Sequence, residues 1–353
     1  MANKNAIEWF YELNDSLEDT PMPLRMQRLQ SKRWPKHPEA RFVEQQDEYR
    51  DFRFTYQAAR FEAGWLLDSL GSFYHNGWIE DVLRIVKGGK EASVYLCRVA
   101  ENIVEQTRNQ EGLVAAKVYR PRSLRNLRND AIYREGRTNV DVEGKEVLDD
   151  RMQKAMRQKT RYGQELLHTS WIGYEYSGLQ KLHAAGVDVP RPYTSDSNAI
   201  LMDYIGEEGM PAPALSDVRL DADEVKPLFE LALRNIELML KNECIHGDLS
   251  AYNILYWEGE IVLIDFPQII QPEQNRNAYR IFERDVIRVC EYFARQPGVS
   301  WGSGVQHASP LRPRKLAADI WTAHRYPLQP QVDVALLDAE DEQDVAFWKK
   351  VNE

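Results

Sequence analysis

Apolar residues follow two rhythms along the chain, and the switches between them mark its elements. From about Phe54 to Tyr74, the positions Tyr56, Phe61, Trp65, Leu66 and Leu70 approximate helical spacing, which predicts a helix packed on the strands beyond it. After Gly77 the rhythm shortens. WIEDVLRIV reads as a strand, and KGGKEASVYLCRV as a turn and a second strand with Val94 and Leu96 on one face. LVAAKVY, Leu113 to Tyr119, is a third strand and carries Lys117. The helical period returns in SWIGYEYSGLQKLHAAGV, where Ser170 is placed to cap the start and Gly186 to end it. VPRPYTSD and NAILMDYI supply two more strands. From Asp223 to Asn242, residues Val225, Leu228, Phe229, Leu231, Leu233, Ile236, Leu238 and Met239 cover most of the circumference, so this helix is expected to be buried. A hairpin, NILY–WEGE–IVLID, comes next, and a last helix spans roughly Tyr279 to Phe293.

Five strands grouped around one helix, then a helical half, predict an α+β architecture with a cleft between two lobes. Clefts of that kind are where small ligands bind. The chain divides into a polar, partly disordered leader (1–50), the first helix (51–76), a β-rich lobe (77–205), a helical lobe (206–295) and a C-terminal extension (296–353). Residues 120–170 interrupt the first lobe. They hold twelve Arg or Lys against eight Asp or Glu with little apolar periodicity, which predicts a long, partly mobile excursion.

Composition narrows the class. With 353 residues, 43% of them hydrophobic, the chain can bury the core of a large two-lobed domain. Its net charge of −10 excludes a nucleic-acid binder by overall charge, leaving only local basic patches. Three dispersed cysteines, Cys97, Cys244 and Cys290, suggest reduced, buried thiols in a cytoplasmic protein. No run approaches the ~20 apolar residues that span a bilayer, and no signal peptide pattern opens the chain.

The stretch CIHGDLSAYNILYWEGEIVLIDF (244–266) raises the question of chemistry. One reading has Asp248 and Asn253 capping turns and Asp265 capping a helix. The other joins all three on one magnesium-bound phosphate chain. His246, Asp248 and Asn253 have the spacing H-x-D-x-x-x-x-N, and Asp265 stands twelve residues after Asn253 across a hairpin. A hairpin returns its end near its start. Asn253 and Asp265 can then share a metal while Asp248 faces outward as base. Magnesium takes one or two protein oxygens and keeps several waters, which suits Asp and Asn. Taken together, the three favour the second reading. Phosphoryl transfer also needs a fixed cation near the phosphates. Lys117 has small neighbours, and Glu175 in WIGYEYSGL is available to pair with it or to sit on a solvated helix face. Gly88 and Gly89 permit a tight turn whose N–H groups face anionic oxygens, and Ser93 can add a hydroxyl. His246 is expected to brace the loop through hydrogen bonds.

These phrases resemble the RIO family of atypical protein kinases, closest to its type-one branch. The resemblance lies in GKEASVY (89–95), AAKVY, WIGYE, MDYIGEEGMPAPAL, HGDLSAYNILY and IDFPQ, and it covers about residues 75–295. It implies a two-lobed protein-kinase-like fold without an activation segment or peptide-binding subdomain. It implies ATP and Mg2+ as cofactors, with Lys117 on the phosphates, Glu175 orienting it, Asp248 catalytic, and Asn253 and Asp265 holding magnesium. The nucleotide site would further comprise Gly88, Gly89, Lys90, Ser93 and Val94. The hinge backbone at Met202, Asp203, Tyr204 and Ile205 would meet adenine, with Met202 either near the gatekeeper position or simply filling core. The implied function is a serine/threonine protein kinase acting on protein hydroxyls, its own included. An ATPase switch gripping a ribosomal precursor is the alternative, and a small-molecule phosphotransferase a third. The basic run RPRSLRNLR (120–128) is either a contact for RNA phosphates or a solvated loop face.

Overall fold

A computed structural model describes residues 51–326, apart from 90, 109–110, 121–132, 134, 136, 142–143, 159, 299–300 and 302–309. The leader and nearly all of the basic run 120–128 lie outside the described residues.

The first helix, α1 (Arg60–His75), begins six residues later than its apolar spacing suggested. Residues 55 and 56 instead run along the edge of β1 (Ile79–Gly88): Tyr56 N–H donates to the Val82 carbonyl at 2.9 Å, and Thr55 binds Asp81 through its amide and hydroxyl. The apolar residue at 56 therefore follows a strand edge, and the helix starts where Glu62 can accept the Ala59 N–H at 3.3 Å.

β1, β2 (Ala92–Val99), β3 (Leu113–Tyr119), β4 (Pro192–Asp196) and β5 (Ala199–Asp203) form one antiparallel sheet in the order β1-β2-β3-β5-β4. Leu66, Leu70 and Phe73 of α1 cover one face with Tyr95, Cys97, Val114, Ala116 and Val118. The other face presents Leu96, Leu113, Ala115, Tyr119, Ile200 and Met202 to Trp171, Ile172 and Tyr176. Covered on both sides, β3 is buried at every residue, which is why its sequence reads as a continuous apolar run around one lysine.

Between β3 and β4 lie two helices, α2 (Asp150–Arg157) and α3 (Arg161–Ala184). The expected excursion thus ends near residue 150, and α3 begins nine residues before Ser170. Thr160 is the cap, its Oγ1 accepting the Gly163 N–H at 3.0 Å. Gly163 reads as a helix breaker, yet a Cβ there would lie 1.9 Å from the Ala155 carbonyl oxygen, so the glycine lets α2 and α3 touch. Ser170 is buried in mid-helix and accepts the Val140 N–H at 2.8 Å. Gly186, with φ +78°, follows the C-terminus of α3 as expected.

The second lobe opens with the short hairpin β6 (Gly206–Glu207) and β7 (Met210–Pro211) beside the hinge. The Arg84 guanidinium of β1 donates to the Glu208 carbonyl at 2.8 Å and to the Tyr204 hydroxyl at 3.0 Å, fastening that hairpin to the sheet. The buried helix α4 (Val225–Lys241) follows, then β8 (Ile254–Trp257) and β9 (Glu260–Leu263). Glu258 and Gly259 both take positive φ at the two-residue turn between β8 and β9. Only a short loop separates Asp265 from α5 (Ala278–Ala294), and α6 (Pro313–Ala323) packs on α5 through Trp321. This is the two-lobed kinase-like arrangement, with α4, α5 and α6 sharing one core.

Candidate active site

Lys117 sits on the α3-facing side of β3, opposite Val94 on β2 and Ile200 on β5. Its ammonium lies 2.6 Å from Glu175 Oε1 and 2.6 Å from Asp265 Oδ1, so one cation joins the sheet, α3 and the loop after β9. Burial alone would lower the lysine pKa; the Asp265 and Glu175 carboxylates outweigh it and hold the amine protonated, above its ordinary value. The same pairing draws the Asp265 carboxyl below its usual range against its own desolvation. Glu175 is buried, and its second oxygen accepts the Tyr119 hydroxyl at 2.8 Å. Tyr119 also places its ring 5.4 Å from the ammonium.

The other half of the site is the loop after α4. His246 is buried; its Nε2 is 3.0 Å from the Ile264 carbonyl, and its Nδ1 accepts the Asp248 N–H at 3.3 Å. That is the tautomer with the proton on Nε2. Desolvation depresses its pKa despite the nearby Asp285, and the ring packs on Phe266, so the histidine braces the loop in neutral form. Gly247 has φ +87°, and a Cβ there would meet the Gln268 carbonyl oxygen at 2.3 Å. No side chain fits between His246 and Asp248. Instead α5 grips the glycine peptide: Asp285 accepts its N–H at 2.9 Å and Arg284 donates to its carbonyl. Asp248 stands at the loop apex, with its side chain 34% exposed. Its Oδ1 is 2.9 Å from the Arg288 guanidinium, and Asn253 Nδ2 donates to its main-chain oxygen at 2.9 Å and to Oδ2 at 3.3 Å.

The open end of the β8–β9 hairpin brings Asn253 beside the Asp265 loop, the Ile264 N–H donating to the Asn253 carbonyl at 2.9 Å. Asp265 adopts a left-handed φ of +70° while its side chain stays 46% exposed to the cleft. An amide oxygen and a carboxylate oxygen on adjacent turns, one of them open, fit a hard cation that keeps part of its water.

The remaining expected residues divide. Val94 shares the Lys117 face, and Gly88 closes β1 opposite Ser93. A Cβ on Gly89 would meet the Ala92 carbonyl oxygen at 2.7 Å, so this turn requires glycine. Lys90 lies outside the described residues. Ser93 is a correction: strand alternation puts it with Tyr95 and Cys97 on the α1 side, where it is fully buried and turned from the cleft. Met202 packs in the cluster with Leu96, Trp171 and Tyr204, on the face that carries Lys117. The Asp203 side chain points back to the Tyr193 hydroxyl and the Arg191 amide, and its N–H donates to the Arg191 carbonyl at 3.0 Å. Tyr204 and Ile205 follow at the hinge, the Ile205 carbonyl accepting the Ala212 N–H at 3.0 Å.

Sequence reasoning assigned no role to Tyr119, Arg284, Asp285 or Arg288, nor to Tyr133 and Arg137 of the excursion. The Arg284 guanidinium donates to the Tyr133 hydroxyl at 3.1 Å. Arg137 donates to the Pro267 and Ile269 carbonyls, at 2.9 and 2.6 Å, just past Asp265. Its guanidinium lies over the Tyr174 ring at 4.6 Å. The one available signal was charged residues on the inward stripe of an amphipathic helix, at 284, 285 and 288.

A lysine–glutamate pair facing an Asp–Asn–Asp set across a lobe cleft defines a site of protein-kinase type. The RIO domain description matches residues 117–301, more than half of the chain, and the chain belongs to that family. It is 32% identical over 133 residues to the RIO-type serine/threonine-protein kinase Rio1 of Methanocaldococcus jannaschii, covering 37% of this chain and 44% of that protein. It is 32% identical over 123 residues to the protein of the same name from Thermoplasma acidophilum, covering 35% and 63%. The match to the serine/threonine-protein kinase RIO1 of Caenorhabditis elegans is 29% over 131 residues, 36% of this chain and 25% of that protein. In each case the match spans less than two thirds of the relative.

Proposed function

We propose that this chain is a magnesium- and ATP-dependent serine/threonine protein kinase of RIO type, with lobes at 77–205 and 206–295. The observation that carries the reading is the bridging of Glu175 and Asp265 by one lysine, both at 2.6 Å, with the Asp265 loop tied to Asn253 through the Ile264 N–H. Glu175, fixed by Tyr119, holds the Lys117 ammonium toward the α- and β-phosphates. The turn at Gly88–Gly89 and Val94 cover the triphosphate, and the backbone of 202–205 meets the base. Asn253 and Asp265 would hold magnesium, which neutralises charge on the phosphate oxygens when bound. Asp248 accepts the proton of the acceptor hydroxyl as that oxygen bonds to the γ-phosphorus and ADP departs. The three buried free thiols and the lack, among the described residues, of any helix long and apolar enough to cross a membrane are compatible with a cytoplasmic protein.

The test incubates the protein with γ-labelled ATP and magnesium beside Asp248→Asn, following protein label and free phosphate together. Label on serine or threonine that the variant loses supports the kinase. Free phosphate without protein label shifts the reading to an ATPase switch, whose protein or RNA partner on a ribosomal precursor would then be sought.

A further inference from the structure

We propose that Arg288 of α5 is a positioning residue for the transfer step: it holds the Asp248 carboxylate in its reactive orientation and sets a fixed positive charge beside it. The inference rests on the kinase reading and deepens it.

Arg284, Asp285 and Arg288 fall at i, i+1 and i+4 of α5, so they lie on one stripe facing the loop. The first two take the carbonyl and amide of Gly247 and fix the backbone. Arg288 reaches past them to a side chain, its guanidinium 2.9 Å from Asp248 Oδ1. Backbone fixing does not orient the Asp248 carboxylate. The residue follows a glycine at φ +87°, and His246 engages only its amide. Among the described residues, Arg288 donates to its Oδ1 and Asn253 to its Oδ2. Asn253 also has the metal side to serve, whereas Arg288 brings its contact from α5, outside the loop that carries the base.

The placement suits this role. The Arg288 side chain is 21% exposed and that of Asp248 34%, so the pair is partly open to an acceptor and partly shielded from screening. Asp248, Asp265 and Glu175 crowd carboxylates into a cleft meant for a triphosphate, with Lys117 committed to two of them. A second cation at Asp248 offsets the repulsion between the base and the approaching γ-phosphoryl group. A mere staple between α5 and the loop would affect stability and nucleotide binding alike. A positioning residue affects kcat alone.

The experiment measures kcat, the KM for ATP, nucleotide affinity by equilibrium binding and thermal stability for the wild type, Arg288→Met and Arg288→Lys. Methionine keeps an apolar stem and removes the charge. The expected result for Arg288→Met is a kcat lower by about tenfold to a hundredfold, with nucleotide affinity within about twofold of wild type. Arg288→Lys is expected to recover part of that loss. If Arg288→Met fails to fold, Arg288→Gln carries the same comparison with the same expected fall. A kcat within about twofold of wild type in these variants, or an affinity that falls in parallel with kcat, overturns the proposal while the kinase reading stands. A wild-type protein that binds nucleotide but yields neither labelled protein nor phosphate overturns both.

Discussion

Lys117 and Asp248 lie at two ends of one cleft and are held in unlike ways. The Lys117 end is closed: lysine, Glu175 and Tyr119 are all buried, and each satisfies another. Three elements meet there, β3, α3 and the Asp265 loop. The Asp248 end is a loop apex with a partly exposed carboxylate, its orientation set from outside by Arg288 and Asn253. On the proposed kinase reading, the difference follows the task of each end. A phosphate side that meets the same ligand every cycle can be built in advance, where burial strengthens electrostatics. An acceptor side must admit a hydroxyl, which suits a base left partly open and steadied by one long side chain from a neighbouring helix.

The sharpest way to break this contrast is Lys117→Met. Removing one partner of a buried ion pair leaves Glu175 desolvated beside an apolar stem, so stability is expected to fall by about 3–5 kcal/mol in urea or thermal melts. Phosphoryl transfer should fall by about two to three orders of magnitude. Asp248→Asn should separate the two effects: turnover lower by about two to four orders of magnitude, yet unfolding within about 1 kcal/mol of wild type, because this carboxylate is partly open to solvent. Equal destabilisation by both variants would erase the distinction. The smallest effect belongs to Tyr119→Phe. It removes one donor to a buried carboxylate and should cost about 1–2 kcal/mol of stability, read by chemical denaturation. Turnover should fall by less than about tenfold, since the lysine still holds Glu175.

The same contrast explains what the sequence made legible. The outer strands, α4, α5 and the hairpin follow apolar patterns along the chain, and β3 and β5 follow continuous apolar runs; the structure brings Lys117 to Glu175 and Asp265, and Asn253 to Asp248. Burial imposes the pattern there, so the pattern can be read back. Three places failed for different reasons. Tyr56 follows a strand edge yet mimics helical spacing with α1. The first turns of α3 lie in the charge-rich stretch read as an excursion, whose weak apolar periodicity concealed them, and there Gly163 serves helix–helix contact. Ser93 sat inside a phosphate-loop phrase, but strand alternation turns it to the far face. Arg288 showed only as a charge on the inward stripe of α5, with no partner named, and Arg137 and Tyr133 were invisible for a further reason. Each acts across more than 35 residues of chain, on the Asp248 side chain, the Pro267 and Ile269 carbonyls, and Arg284. Local spacing carries no trace of such a contact.

The central claim is that Asp265 joins the lysine to a metal-bound nucleotide. Its most direct test is nucleotide affinity with and without magnesium, for the wild type and Asp265→Asn, with melts confirming that both are folded. The account predicts that magnesium tightens binding to the wild type, and that Asp265→Asn keeps metal-free affinity but loses this gain. An Asp265→Asn protein with the full magnesium-dependent gain would contradict it.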